Sequence, residues 1–366
     1  LQEFQDDVFD ILTNITGLGQ GGRIYYGERN IKNPRKGLCH EGFPRPGGAD
    51  QKHITFLQFY IPHVRIGVDS FEMVVDGKRA HLYHLDLITA VPWAEHDVDV
   101  VIDSSGAYDN AIRAREILSG SVKKVLITHS PKQVIPRSSD NSVVDHTIVL
   151  GVSEGAYDSL RHHVLSASIC DATALSPVLK VLEVHLGIDF GFITTLHPWL
   201  SYQSLSDAPA HSWSYPGKVY KHYPLGRATM PSIIPKPTTA LAATCELLPE
   251  LTGRISELSY RVPTAIVASS DISLVLEKNT SADEIKMLFS RYEAKQQWRT
   301  FQNSEDPLVS IDYKGSPYAA NIDHRWTVVE GGKRLKMVLW YDNEWGYASQ
   351  VVDIVKLLEA VDIGRK

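Results

Sequence analysis

The chain has 366 residues, 43% of them apolar and 22% charged, which is enough for two domains and a sizeable core. A net charge of −6 argues against a nucleic-acid platform as the main role, and no apolar run reaches the roughly 18 residues of a membrane span. Three cysteines (Cys39, Cys170, Cys245) without CxxC spacing rule out a disulfide framework and suit a reducing, cytoplasmic setting; the acidic start Leu1–Asp7 carries no signal-peptide pattern.

In chain order, residues 10–16 read as a first strand running into a glycine-rich turn, Gly17-Leu18-Gly19-Gln20-Gly21-Gly22. Residues 30–53 are rich in Pro, Gly and charge and read as a loop. Residues 71–83 read as a hairpin around Asp76-Gly77. Val98–Asp103 is a continuous apolar strand ending in Ser104-Ser105-Gly106, followed by a helix over 108–119 and a strand over 124–128. Buried strands alternating with helices predict a parallel sheet. From Cys170 on, Leu175, Leu179, Leu182 and Leu186 recur at helical spacing, so the cysteine lies at a helix N-terminus. Phe190–His197 is an apolar strand, 207–224 an aromatic loop, and 238–248 a helix. Residues 256–268, 308–313 and 336–341 read as strands of a second sheet, and a closing helix spans about 347–361.

Cys170 and His197 are the first candidates for chemistry. They lie 27 positions apart, room for a helix out and a strand back, so the imidazole can return to the thiol. A cysteine at a helix start facing a histidine favours a thiolate at neutral pH; the plainer reading is a buried, inert cysteine. Asp171 suits the helix dipole but raises a neighbouring thiol's pKa. Gly17-x-Gly19-x-x-Gly22 matches a dinucleotide fingerprint, or is only a turn. Arg227 and Arg261 are candidates for gripping an anion, and each is as readily a solvated side chain. Thr238 and Thr239 either donate hydroxyls to that anion or start a helix. Asn343 has the paired groups to bind a carboxamide, or caps the last helix. The histidines show no metal-ligand spacing, and no metal is expected.

These pieces together resemble the phosphorylating glyceraldehyde-3-phosphate dehydrogenases and their sister erythrose-4-phosphate dehydrogenases over nearly the whole chain. Thr16–Arg23 resembles the family's N-G-F-G-R-I-G-R, and Pro92–Gly106 its P-W…V-D-V-V-x-x-S-T-G. Ala167–Thr173 resembles A-S-C-T-T-N, and Thr194–His197 resembles T-T-V-H at the family's spacing. Ile233–Thr239, Arg261–Thr264 and Trp340–Tyr347 complete the set. The resemblance implies an α/β protein with a Rossmann dinucleotide-binding domain (1–169 with 343–366) and an α+β catalytic domain (170–342) built on a mixed or antiparallel sheet. It implies NAD(P)-dependent oxidation of a phosphorylated aldehyde through a Cys170 thiohemiacetal and thioester. His197 would act as base, and inorganic phosphate would release an acyl phosphate. Gly17, Gly19, Gln20, Gly22, Ser105, Gly106, Asn343 and Tyr347 would hold NAD or NADP. Arg227, Thr238, Thr239 and Arg261 would hold the phosphates, in a cytoplasmic homotetramer of glycolytic type.

The chain also departs from that pattern. Ile169 is inserted before the cysteine, Asp171 replaces a threonine, and Thr173 replaces an asparagine. Leu200 and Tyr202 replace two phosphate-touching threonines, Gln20 replaces a basic residue, and the ribose-gripping N-D-P motif is missing from 36–50. A carboxylate at 171 repels an incoming phosphate by ~1 kcal/mol or more at short range. Two alternatives therefore accompany the dehydrogenase reading: a catalytically impaired member acting as a binding protein, and a Cys–His acyl-transfer or thioester-hydrolase activity.

Overall fold

The computed structural model describes residues 55–56, 70–75, 78–83, 85–130, 143–200, 203, 205–207, 212–214, 218–220 and 223–363. The strand expected over 10–16, the glycine turn and the loop 30–53 lie outside them.

The first half contains strands β1 (Thr55–Phe56), β2 (Ser70–Val75), β3 (Lys78–Tyr83) and β4 (Val100–Asp103), helix α1 (Tyr108–Arg113), then β5 (Lys124–Ile127), β6 (His146–Thr147) and β7 (Val164–Ser166). Strands β2 and β3 pair as the expected antiparallel hairpin. The others form a five-stranded sheet, order β1-β4-β5-β7-β6, parallel throughout. Successive strand residues point to opposite faces, and here both faces are covered. Val101, Val125, Ile127 and Val164 pack with Ala111, Ala114 and Ile117 on one side. Ile102, Leu126 and Leu165 pack with Val351, Ile354, Val355 and Leu358 on the other. That double burial is why these strands are unbroken apolar runs.

The second half begins with α2 (Cys170–Leu186) and continues through β8 (Ile188–Pro198), the short pair β9 (Ser212–Ser214) and β10 (Lys218–Tyr220), β11 (Ile234–Lys236), α3 (Ala240–Leu247), β12 (Ile255–Val262) and β13 (Ala268–Leu276). It ends with α4 (Ala282–Glu293), β14 (Phe301–Ser304), β15 (Ala320–Glu330), β16 (Arg334–Tyr341) and α5 (Trp345–Ile363). Seven strands form one sheet, order β11-β12-β8-β13-β16-β15-β14. It is mixed: β12/β8 and β14/β15 are parallel, and the remaining pairs antiparallel. Helices α2, α3 and α4 cover one face, where Leu175, Leu179, Leu182, Ile193, Ile272 and Phe289 share a core. The expected fold class, a parallel nucleotide-binding-type sheet joined to an α+β unit with a mixed sheet, is the one found. Helix α4 starts in a full capping box, with Ser281 and Glu284 each accepting from the other's backbone N–H.

Three expectations change. Residues 308–313 are not a strand; Ser310–Tyr313 is a 3-10 turn, closed by Val309 N–H donating to the Asp312 carboxylate at 2.8 Å. The run 256–268 is two strands, because Pro263 cannot donate to a ladder and the chain turns between Val262 and Ala268. The aromatic segment 207–224 carries the β9/β10 pair.

Candidate active site

Strand parity builds the site. On β8, Ile193, Thr195 and His197 point toward the helices. On β12, Glu257, Ser259 and Arg261 do so, and the register sets Arg261 beside His197 and Ser259 beside Thr195. On β11, Lys236 lies beside Ser259. The N-terminus of α2 brings Cys170 and Asp171 onto this polar patch.

The two leading candidates meet. Cys170 Sγ lies 4.0 Å from His197 Nε2. His197 Nδ1 is 2.8 Å from the Pro198 carbonyl; a carbonyl only accepts, so Nδ1 carries the proton and Nε2 presents its lone pair to the sulfur. Asp171 Oδ1 lies 3.7 Å from Sγ and accepts from the Tyr341 hydroxyl at 2.7 Å. Both His197 and Asp171 are buried.

The expectation of a resting thiolate is corrected. Burial, and after it the Asp171 carboxylate, pushes the Cys170 thiol well above its ordinary value; Arg261 opposes them without prevailing. Burial and then Arg261 lower His197 to about 4. At neutral pH the pair is therefore thiol and neutral imidazole. The sulfur is a nucleophile only as its proton passes to Nε2.

Arg261 is buried and donates to the Pro198 carbonyl at 3.4 Å, so one backbone oxygen ties it to His197. Sequence reasoning passed over Lys236, Glu257 and Tyr341. Burial and Arg261 lower Lys236 to about 8. Burial raises Glu257 to about 7, although Leu241 N–H donates to it at 2.7 Å. The available signal was parity: 236 follows buried Ile234 by two, 257 follows buried Ile255 by two, and 341 follows buried Leu339 by two.

The remaining anion candidates do not join this cluster through any contact among the described residues. Arg227 is exposed and pairs with Asp207 at 2.9 Å. Thr238 Oγ1 accepts from Ala240 N–H at 3.2 Å, and Thr239 is the N-cap residue of α3. Both sit at the helix start, Thr239 without a side-chain cap hydrogen bond. Leu200 N–H donates to Gln203 Oε1 at 2.9 Å.

A second polar group lines the carboxyl ends of the parallel strands, the edge where such sheets bind ligands. Ser105 N–H and Oγ–H both donate to Asp103 Oδ1, at 3.0 and 2.5 Å. Asp103 Oδ2, Ser168 Oγ and both ring nitrogens of His129 are buried without a hydrogen-bond partner among the described residues. Gly106 adopts φ +66°, and the space a Cβ would take is open. Asn343 Oδ1 accepts from Val267 N–H at 3.1 Å. Tyr347 places its hydroxyl 2.8 Å from the Thr128 carbonyl and 2.9 Å from that of Ser168. It clamps α5 to β5 and to the segment entering α2. Gly17, Gly19, Gln20 and Gly22 lie outside the described residues.

The model of the glyceraldehyde 3-phosphate dehydrogenase C-terminal domain matches residues 169–343. Glyceraldehyde-3-phosphate dehydrogenase 2 of Bacillus subtilis (strain 168) is 33% identical over 309 residues, 84% of this chain and 84% of that protein. The chain belongs to the glyceraldehyde-3-phosphate dehydrogenase family. The Geobacillus stearothermophilus enzyme is 34% identical over 289 residues (79% and 80%), and glyceraldehyde-3-phosphate dehydrogenase 2 of Streptomyces avermitilis 33% over 282 residues (77% and 78%). The family match starts one residue before Cys170 and ends at Asn343. No described helix is long and apolar enough to cross a membrane. The sequence showed no metal-ligand spacing, yet the fold gathers Cys170, Asp171 and His197 ligand atoms within 4.8 Å of one another.

Proposed function

We propose that this family member oxidises a phosphorylated aldehyde of the glyceraldehyde-3-phosphate class, with NAD or NADP as hydride acceptor, and releases the acyl group to inorganic phosphate. The observation that carries the reading is the His197 Nε2 lone pair aimed at Cys170 Sγ, with Nδ1 held by the Pro198 carbonyl.

Because thiol and imidazole both rest neutral, the first step couples two events. The sulfur–carbon bond forms as the thiol proton moves to Nε2, and Nε2 then hands that proton to the carbonyl oxygen, giving a thiohemiacetal on Cys170 and a neutral imidazole. Neutral again, Nε2 is placed to take the hydroxyl proton, and with a nicotinamide dinucleotide bound to accept the carbon's hydride the product would be a thioester on Cys170. A phosphate oxygen attacks the thioester carbon, the carbon–sulfur bond breaks, and the sulfur recovers its proton. Arg261, buried beside His197, supplies the positive charge that draws a phosphate into this dry patch.

When bound, a nicotinamide dinucleotide supplies the hydride acceptor. The residues at the sheet edge fit such a group: Asp103 and His129 offer buried polar atoms with no partner among the described residues, and Gly106 leaves its backbone open. Asp103, Ser105, Gly106, His129 and Asn343 would hold it, with Tyr347 positioning the strand ends. Phe190, Phe192, Leu196, Leu258 and Trp326 leave an apolar surface exposed on the seven-stranded sheet, which supports a homo-oligomer, a tetramer by family resemblance.

The test is reduction of NAD or NADP, followed by absorbance of the reduced nicotinamide, with triose and tetrose phosphates in the presence and absence of inorganic phosphate. Cys170→Ser must abolish it. Absence of turnover with every such aldehyde, in folded protein, refutes the reading. One observation favours a second reading, a member that binds without oxidising: burial, and after it the Asp171 carboxylate 3.7 Å from the sulfur, hold the thiol proton on. Calorimetric titration with NAD and NADP, set beside the turnover assay, separates the two: binding without turnover favours the second.

A further inference from the structure

We propose that Cys170, Asp171 and His197 form a three-ligand site for a borderline divalent transition-metal ion, zinc by ligand class, with an open fourth position. The proposal stands on ligand geometry and does not depend on aldehyde oxidation.

The donor set is one sulfur, one imidazole nitrogen and one carboxylate oxygen. Mixed S/N/O sets suit zinc and its neighbours, whereas magnesium and calcium require oxygen alone. Three protein ligands with one vacancy is the arrangement of reactive rather than purely structural zinc sites. In a tetrahedral site, bonds of about 2.3 Å to sulfur and about 2.0–2.2 Å to nitrogen or oxygen put neighbouring ligand atoms about 3.5 Å apart. The sulfur already lies 4.0 Å from His197 Nε2 and 3.7 Å from Asp171 Oδ1, and the three ligand atoms lie within 4.8 Å of one another. Small side-chain adjustments close the site, with no change of fold.

The surroundings orient the ligands as metal sites require. His197 spends its Nδ1–H on the Pro198 carbonyl at 2.8 Å, which fixes the tautomer that leaves Nε2 as a donor atom. The Tyr341 hydroxyl donates to Asp171 at 2.7 Å, which fixes the carboxylate. The first support comes from His197's own strand β8 and the second from β16. Asp171 is the decisive residue. A carboxylate directly after a helix-starting cysteine adds the third ligand and a second negative charge, so thiolate, carboxylate and a divalent ion sum to zero. Arg261 and Lys236 then favour an anion, such as hydroxide or phosphate, in the fourth position.

Binding replaces the thiol proton by a sulfur–metal bond and releases that proton to solvent; no redox partner is needed. The bound ion occupies the lone pairs of both Sγ and Nε2, so the same ion silences any thiol chemistry at this site until a chelator removes it.

The experiment uses the full chain, reduced and stripped of metal, titrated with Co2+ alone and then with Zn2+. One equivalent of Co2+ is expected to produce a thiolate-to-cobalt charge-transfer band, which Zn2+ abolishes by displacement. Cys170→Ser must remove the band. Asp171→Asn must weaken binding at least tenfold, and Tyr341→Phe, which touches no metal, about 10- to 100-fold. Circular dichroism reports whether each variant folds. If a variant does not fold, zinc protection of Cys170 in the wild-type chain against iodoacetamide, read on its peptide, decides instead. The proposal is overturned by absence of the band in the wild type, by its survival in Cys170→Ser, by undiminished affinity in folded Asp171→Asn, or by unprotected Cys170 at saturating zinc. No aldehyde or nicotinamide enters these measurements, so their failure is independent of the dehydrogenase assay.

Discussion

Replacing Asp171 by Asn removes one charge beside the sulfur and keeps the side chain's size and its acceptor oxygen for Tyr341. A full charge 3.7 Å from Sγ repels a thiolate by about 4 kcal/mol at an effective dielectric of about 20. Spreading the charge over two oxygens brings this to about 2–4 kcal/mol. Since about 1.4 kcal/mol is tenfold, the thiolate fraction at neutral pH rises roughly 30- to 1,000-fold. A less basic thiolate is also a weaker nucleophile, which cancels about half of that gain on a logarithmic scale. Asp171→Asn is therefore expected to speed alkylation of Cys170 by iodoacetamide about 5- to 30-fold near neutral pH. The assay follows the Cys170 peptide by mass spectrometry, with Cys170→Ser as the blank so that Cys39 and Cys245 do not contribute. A rate that is unchanged or slower in a folded variant refutes the electrostatic account of the site.

Four further outcomes follow from the geometry. Glu257 has a folded pKa of about 7, above its ordinary value, so its contribution to stability is complete below the unfolded pKa and is lost as pH rises through about 7; Glu257→Gln removes that loss. Allowing for solvent at this partly exposed carboxyl, the stability difference between variant and wild type should shift by about 1–2 kcal/mol between about pH 5.5 and 7.5 in urea denaturation, and a flat difference refutes it. Arg299 forks onto buried Asp353 of α5 at 2.9–3.0 Å. Arg299→Ala is expected to cost about 1–3 kcal/mol, read as a lower urea midpoint, with Lys356 remaining as a partner at 3.0 Å. A Cβ on Gly346 would lie 2.7 Å from the Tyr318 carbonyl, so Gly346→Ala should destabilise by about 1–3 kcal/mol in the same measurement. Phe192→Glu should lower the assembled mass in sedimentation if the exposed sheet face is an interface, and an unaltered mass removes that assignment.

The parts of the fold written as hydrophobic pattern were legible. Val100–Asp103 and Lys124–Ile127 are covered on both faces and so appear as unbroken runs, and Asp76-Gly77 announced its hairpin. The Cys170–His197 meeting was legible from a helix and a strand of suitable length. What sequence could not supply was cross-strand register. Arg261 becomes a neighbour of His197 only because β12 runs parallel to β8 with 261 opposite 197. Lys236 and Glu257 look like ordinary solvent-facing positions until the sheet turns them under the start of α2. The protonation state escapes the sequence for the same reason. A cysteine beside a histidine implies an ion pair in water, but burial penalises both charges at once, and that burial is set by residues far away in the chain. Residues 308–313 failed because an apolar-looking run was closed into a turn by Asp312, a local hydrogen bond that periodicity does not record.

The contacts of α5 have a consequence for how the molecule loosens. Val351, Ile354, Val355 and Leu358 share one apolar cluster with Ile102, Leu126 and Leu165 of the parallel sheet, although about two hundred residues of chain and the whole seven-stranded sheet lie between them in sequence. Lifting α5 away bares apolar surface on helix and strands at once, so the two yield to denaturant as one unit rather than as separate pieces.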